Sequence, residues 1–332
     1  MSELVPVNEI LKGDAANCLK LLPANCIDCV LTSPPYLALR DYGVQGQIGL
    51  ESSLEEYIDR LCTIFDEIHR VLKPTGTCWV NLGDTYSATR SRSGKGQPMN
   101  VMTDSQKGIA PKKLTGLEDK NLALIPFRFA IGMQNRGWII RNVIIWHKPN
   151  CMPSSVKDRF TVDFDYIFFF TKSRKYWFER QREGNSISRL FNVRVRDVKL
   201  GRIKHTDRKA SKSEISKYQE GYRIIRGRNK RCVWTVPVRP FKGAHFATYP
   251  EGLIETPIRA GCPPGGIVLD PFFGAGTTGV ACLKLNRNFI GIELNPQYVR
   301  IAARRLAPLL TSRKVVQAEF GIGEHKRILK AA

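Results

Sequence analysis

The sequence predicts an α/β fold built on a mixed, mostly parallel sheet. Three observations carry that prediction. Apolar runs of strand length alternate with helix-periodic stretches toward both ends of the chain. Two of those runs, 27–31 and 77–82, flank one long amphipathic stretch, the crossover unit of parallel strands. A third run, 265–270, passes through a glycine-rich turn directly into another helical stretch.

In chain order, residues 5–19 begin with a short apolar stretch ending at Gly13-Asp14, and a helix follows over 15–22. Residues 53–72 are the clearest helix. Leu54, Ile58, Leu61, Phe65, Ile68 and Leu72 fall on one face, Ser53 suits the N-cap, and Glu56 completes a capping-box spacing. Lys73-Pro74-Thr75-Gly76 ends that helix before the strand 77–82. Residues 87–120 change to a polar, glycine- and serine-containing run and read as a mobile loop. A helix is expected over 121–135, strands over 138–148 and 165–173, a strand–turn–helix over 265–286, a strand over 288–295 and a helix over 296–310.

Charge divides the chain more sharply than hydropathy does. The 332 residues carry a formal net charge of +22. Residues 181–240 hold 17 Lys/Arg against 5 Asp/Glu, so this short segment carries +12 of the excess. Such a concentration is the electrostatic footprint of a polyanion-binding surface, and nucleic acid is the expected partner. Within it, Arg223, Arg226, Arg228, Lys230 and Arg231 are the candidate DNA contacts. No apolar run reaches the roughly 18 residues of a membrane span, and the first residues lack a basic-then-apolar leader pattern. A reduced, cytoplasmic protein is therefore expected, its nine cysteines forming no disulfide framework. Cys26 and Cys29 make a single CxxC with no second pair and no nearby histidine, so no metal site is expected.

Two motifs carry chemistry. The first is Asp270-Pro271-Phe272-Phe273-Gly274-Ala275-Gly276-Thr277-Thr278, between a buried strand and a helix. Its glycines let a ligand approach the backbone, and the helix start offers free N–H groups. A dinucleotide fold wants GxGxxG, whereas here the next glycine, Gly279, comes one place late. A phosphate loop wants a lysine that is absent. S-adenosylmethionine is the third reading. Glu293, at the end of the next strand, suits the two hydroxyls of a ribose, and Asp270 suits the ammonium of a methionine moiety. The second motif is Ser33-Pro34-Pro35-Tyr36, where two prolines stiffen the exit from a strand.

Together these motifs resemble the amino-group DNA methyltransferases, whose catalytic motif is (Asp/Asn/Ser)-Pro-Pro-(Tyr/Phe). The order along the chain is catalytic motif, basic segment, cofactor motif, which resembles the circularly permuted β group. The likeness covers roughly 5–85, 122–180 and 240–310. It implies a Rossmann-like S-adenosylmethionine-dependent methyltransferase sheet interrupted by a target-recognition region. The expected division is a catalytic part over 1–180, target recognition over 181–240, a cofactor-binding part over 241–310 and a tail over 311–332. By the same resemblance, Phe246, Thr248 and Pro250 match a segment packing over the methionine moiety. Asp14 matches the acceptor of the adenine amino group, and Phe272, Gly274, Gly276 and Thr277 belong to the cofactor loop. Segment 144–160 is similar to one frequent in the branch with serine in the catalytic motif. Asp165 stands where the family more often has glutamate, and no role is assigned to it.

The implied reaction explains the residue types. An exocyclic base amine is a poor nucleophile because its lone pair is delocalised into the ring. Two acceptors, Ser33 Oγ and the Pro34 carbonyl, can rotate and pyramidalise that nitrogen and stabilise the charge it gains. Tyr36 is expected to stack on a base swung out of the duplex. Carbon-5 methylation is disfavoured because the chain has no Pro-Cys pair. Serine at the first catalytic position resembles the cytosine-N4 branch. Adenine-N6 is the alternative, and an RNA amino-methyltransferase a more distant one. Implied partners are double-stranded DNA, a restriction endonuclease acting on the same site, and a second copy of the chain in a homodimer.

Overall fold

The structure, a computed structural model, describes residues 5–37, 39–87, 114–183, 228–239 and 249–319, with the backbone alone from 313. The described chain divides into two compact units, Met1–Phe178 with Val233–Ala332, and Glu179–Cys232.

The larger unit is organised by an eight-stranded sheet. Its strands are β1 (Glu9–Lys12), β2 (Ile27–Thr32), β3 (Leu72–Leu82), β4 (Ile139–His147), β5 (Phe164–Thr171), β8 (Val233–Thr235), β9 (Ile267–Asp270) and β10 (Asn288–Glu293). The order across the sheet is β1-β10-β9-β2-β3-β5-β4-β8. Every pairing is parallel except the two made by β5. The helices are α1 (Ala15–Lys20), α2 (Leu54–Val71), α3 (Ile125–Asn135), α4 (Glu251–Gly261), α5 (Thr277–Lys284) and α6 (Pro296–Glu319). Strands β6 (Arg182–Glu183) and β7 (Arg228–Asn229) belong to the smaller unit.

Strand alternation sorts side chains onto two cores. Val30, Phe168 and Phe170 face Leu19, Leu61, Phe65 and Phe129 of α1, α2 and α3. Their strand neighbours Cys29, Leu31 and Phe169 face Ile254, Ile258, Ala281 and Leu306 of α4, α5 and α6. The result is helix, sheet, helix. Phe65 and Phe168 are fully buried, and truncating either to alanine costs about 3–5 kcal/mol.

The departures from expectation are local. Ser53 caps α2 by accepting from Glu56 N, but the Glu56 carboxylate bonds Ser52 instead of reaching back to Ser53. Residues 73–76 do not interrupt the chain as a turn; they belong to β3. Between the pairs Ile27↔Leu72 and Cys29↔Thr77, β3 advances five residues while β2 advances two, so Pro74 and Gly76 are absorbed in a bulge. Helix α4 was not expected at all, because Pro257 inside it masks its periodicity. Helix α6 runs through Pro308 and past the expected end at 310 to Glu319. Strand β8 lies inside the expected recognition segment yet belongs to the sheet, with Trp234 buried. The expected loop lies mostly outside the described residues. Its ends are drawn together by Ser87 N to Asn121 O and Ala123 N to Thr85 O, 2.9 Å each.

Candidate active site

Strand order brings the two motifs together. The catalytic motif leaves the carboxyl end of β2, and Asp270 ends β9. These strands pair side by side, Val30 with Leu269. Gly13-Asp14 leaves the end of β1 where Lys12 pairs with Glu293 of β10, and Gly13 N donates to Glu293 O at 3.0 Å. All four sequence landmarks therefore sit on one carboxyl edge, the usual ligand edge of such sheets. A cavity of about 360 Å³ opens there. Strand order divides its lining into two groups, a first and a second lobe. Asp14, Phe272, Gly274 and Glu293 line it on the β1, β10 and β9 side; Asn81, Trp146, Lys148 and Asp165 line it on the β3, β5 and β4 side. Ser33, Pro34, Pro35 and Tyr36 lie between them.

In the first lobe Glu293 is nearly buried, and each carboxylate oxygen takes a backbone N–H: Oε2 from Gly274 and Oε1 from Asn295, both at 2.7 Å. Burial raises its pKa, against the pull of those N–H groups. Its remaining lone pairs suit a pair of hydroxyls. Asp14 caps α1 through Oδ1, which accepts from Asn17 N, and also lines the cavity. Gly276 takes a left-handed φ of 78°, and a Cβ there would meet Ala302 Cβ at 2.9 Å. Thr277 lines the cavity and receives Arg305 Nη1 at 3.2 Å. Pro250 is the N-cap of α4, and its neighbour Tyr249 lines the cavity. Phe246 and Thr248 lie outside the described residues.

Asp270, the residue expected to meet the ammonium, is held by groups of the protein itself. It is buried, and its oxygens accept from Thr32 Oγ1 (2.6 Å), Thr278 Oγ1 (2.5 Å), Tyr249 OH (2.9 Å) and Phe272 N (3.1 Å). Burial raises its pKa despite these donors. Thr32 immediately precedes Ser33, so this carboxylate ties the catalytic strand to the cofactor loop.

In the second lobe the Asn81 side chain is set by donating Nδ2 to Tyr166 O at 3.0 Å. Its Oδ1 therefore faces Ser33 Oγ and Tyr36 OH, each at 3.4 Å. An amide oxygen only accepts, so the Ser33 hydroxyl hydrogen points to Asn81 and its lone pairs are left for other donors. Tyr36 OH also reaches Asp165 Oδ2 at 3.2 Å. Burial and the Asp165 charge hold its pKa well above the usual tyrosine value, so it remains a neutral phenol. Tyr57 OH donates to Pro35 O at 2.8 Å, fixing the diproline from α2. Gly83 makes room for the Tyr36 ring: a Cβ there would fall 2.5 Å from Tyr36 Cε2. Asn81, Lys148, Tyr57 and Tyr249 were missed in the sequence. The available signal was their position: Asn81 and Lys148 lie at or just beyond the ends of strands that were themselves expected.

The N6/N4 family model, described as DNA methylase, matches residues 27–304. The chain belongs to the N6/N4 DNA methylase family. Among this methylase's curated relatives, the type II methyltransferase M.Cfr9I of Citrobacter freundii is 42% identical over 90% of this chain and 87% of its own. M.SmaI of Serratia marcescens is 38% identical over 90% of each. Among solved structures, the PvuII DNA methyltransferase, cytosine-N4-specific, aligns with a TM-score of 0.59 at 19% identity, over 90% of this chain and 86% of that one. A DNA modification methylase of Thermus thermophilus, TTHA0409, complexed with S-adenosyl-L-methionine, aligns at 0.55 and 22% identity, over 91% and 94%. At those identities the structures speak to the methylase's fold.

The smaller unit of the methylase is described only at its ends. Strands β6 and β7 pair antiparallel. Glu183 Oε1 accepts from Arg228 Nε and Arg231 Nε, both at 2.6 Å. Burial pushes the Glu183 carboxyl up, but the two arginines carry it below its ordinary value. Lys230 N donates to Gln181 O. Arg223 and Arg226 lie outside the described residues. Among the described residues no helix is long and apolar enough to cross a membrane.

One consequence concerns the buried Glu293. Its raised pKa means that it takes up a proton at a higher pH than a free glutamate does. Protonation removes an acceptor lone pair and the charge that the two N–H groups favour. With Glu293 taken as the ribose ligand, S-adenosylmethionine affinity should weaken as pH falls, with its midpoint above the ordinary glutamate value. Glu293→Gln should bind more weakly and lack that step. Calorimetric titration across pH checks both; an identical profile in the variant would remove the assignment.

Proposed function

We propose that this methylase transfers a methyl group from S-adenosylmethionine to the N4 amine of cytosine in duplex DNA, by base flipping and direct in-line attack. The observation that carries the reading is one cavity lined by Asp14, Gly274 and Glu293 on one side and by Asn81, Lys148 and Asp165 on the other, with Ser33-Pro34-Pro35-Tyr36 on the strand between them. The first lobe fits the cofactor: a buried carboxylate at Glu293, a glycine turn that permits close approach, and Asp14. When bound, S-adenosylmethionine supplies an activated methyl on a sulfonium. Asp14 accepts from the adenine amine and Glu293 from the ribose, and Tyr249, before α4, lines the same cavity. Ser33 Oγ, its own hydrogen turned to Asn81, accepts one amine hydrogen of the base. The Pro34 carbonyl accepts the other, held by the stiffness of the diproline and by Tyr57 behind it. Tyr36 provides the face on which the base stacks. Holding amine and methyl in line supplies proximity, and the preset acceptors supply charge stabilisation.

The protein is read as cytoplasmic, as a dimer, and as the modification partner of an endonuclease with the same site. Its order of motifs is read as the circular permutation, with 181–240 inserted for target recognition. The +12 of that segment supports duplex DNA as its ligand. Because Arg228 and Arg231 share Glu183, reversing them disturbs the unit as well as its charge. Glutamate at Arg223, Arg226 and Lys230 reverses charge while leaving Arg228 and Arg231 in place. It should reduce the slope of log affinity against log salt by about 0.9 for each phosphate left without its cation. Fluorescence anisotropy across a series of salt concentrations measures the slope, and an unchanged slope would put the DNA elsewhere.

The decisive experiment is nucleoside mass spectrometry of DNA from cells expressing the protein. N4-methylcytosine is expected. N6-methyladenine would overturn the choice of base and leave the amino-methyltransferase reading standing.

A further inference from the structure

We propose that Lys148 reads the acceptor edge of the target cytosine, donating to O2 and N3 while Ser33 holds the amine. The proposal rests on the cytosine reading above and assigns a residue that the catalytic motif does not contain.

Lys148 follows the last residue of β4, and its backbone N–H donates to Asp163 O at 2.7 Å. Trp146, two residues earlier, shares its strand face and pairs across to Asp165 of β5. The lysine is thereby held on both sides. Its Nζ lies 2.6 Å from Asp165 Oδ2 and 4.8 Å from the centroid of the Trp146 ring. Both members of the ion pair are largely buried, 21% and 12% exposed, and both line the cavity. An ammonium has three N–H donors. One serves Asp165, and the indole takes the charge through its face. Two donors remain for the cavity, one for O2 and one for N3.

The chain of contacts fixes where that donor acts. Asp165 Oδ2 is shared by Lys148 and Tyr36 OH, and Tyr36 OH and Ser33 Oγ share Asn81 Oδ1. Lys148 is thus one carboxylate away from the stacking tyrosine. Its strand is far from that of the cofactor loop: β4 is four strand positions from β9, about 19 Å at ordinary strand spacing. A cationic donor on the base side of Ser33 suits the chemistry of cytosine. Next to its amine, cytosine carries two acceptors in a row, N3 and then O2. Adenine carries N1 and then a C–H, so the second bond is lost. Ser33 does not discriminate in this way, since a hydroxyl accepts from either amine. Asp165 and Trp146 are positioning residues in this account, keeping the ammonium aimed.

The test uses duplexes with pyrimidin-2-one at the target position, which keeps N3 and O2 and has no amine, against duplexes abasic there. Wild type should bind the pyrimidinone duplex about 10-fold more tightly, the scale of a hydrogen bond to a charged group. Lys148→Met should abolish that preference and lower kcat/KM at least 10-fold. Its affinities for S-adenosylmethionine and for the abasic duplex should not change. Ser33→Ala should keep the preference, and Lys148→Arg should keep most of it. If Lys148→Met fails to fold with Asp165 left unpaired, the double variant with Asp165→Asn removes both charges and should lose the same preference. A preference retained without the lysine overturns the proposal. So does a loss confined to cofactor affinity, which would mark Lys148 as a carboxylate ligand, or a loss shared by the abasic duplex, which would mark it as a phosphate contact. Failure of the cytosine reading itself is separate: the nucleoside analysis then returns N6-methyladenine.

Discussion

Ser33→Ala should lower kcat by about 10²–10³ while leaving S-adenosylmethionine affinity unchanged. The range is that for removing one preorganised group from a developing charge. Ser33 Oγ lies 3.4 Å from Asn81 Oδ1, and the Asn81 amide donates to Tyr166 O, so a hydroxyl that donates to Asn81 keeps its lone pairs for the base. Alanine removes the acceptor and leaves Asn81 and Tyr36 in position. Cofactor affinity is the control, because Ser33 lines the cavity just after β2, whereas Glu293 and Asp14 belong to the ends of β10 and β1. Single-turnover methylation with tritiated cofactor measures the rate, and equilibrium dialysis the affinity. A loss in affinity equal to the loss in rate would make Ser33 part of the cofactor site.

Much of this arrangement was legible before any coordinates. The helix 54–71 declared itself by period and cap, and the strand runs 27–32, 267–270 and 288–293 by their apolar content. Their parallel pairing then obliges the residues following them to share an edge, which is why two motifs more than 230 residues apart meet. What stayed hidden has a common physical cause. Asn81, Lys148 and Asp165 act through one another across β3, β4 and β5, and no local pattern announces a cross-strand contact. Helix α4 was hidden by its proline, and the β3 bulge by residues that normally end a segment. Tyr57 illustrates a subtler case. It fits the apolar stripe of α2 and is fully buried there, yet its hydroxyl emerges at the Pro35 carbonyl. One side chain is core at its ring and site at its tip.

Asp270 is where fold and chemistry are hardest to separate, and its replacement should have the largest effect on stability. The sequence offers it as a cofactor ligand; the geometry makes it a cross-brace. Removing a buried acceptor of three hydroxyls and one N–H strands several donors at once, each costing about 1–3 kcal/mol. Asp270→Ala should therefore lose about 3 kcal/mol or more. Thr32→Val, which removes a single donor, should lose about 1 kcal/mol. Asparagine behaves differently. Burial raises the pKa of Asp270, so its protonated form is the one the fold favours. The stability this contributes is present below the unfolded-state value and is lost as pH rises through the raised folded-state value. Asp270→Asn has no such step, because its amide stays neutral and the threonine hydroxyls can turn to accept from it. Urea denaturation of wild type and both variants across the acidic to neutral range tests the sign: the asparagine variant should gain on wild type as pH climbs. Should Asp270→Ala instead keep full stability and lose only cofactor affinity, Asp270 would be the ammonium ligand that its place in the motif suggests, and the brace between Thr32 and the cofactor loop would have no energetic weight.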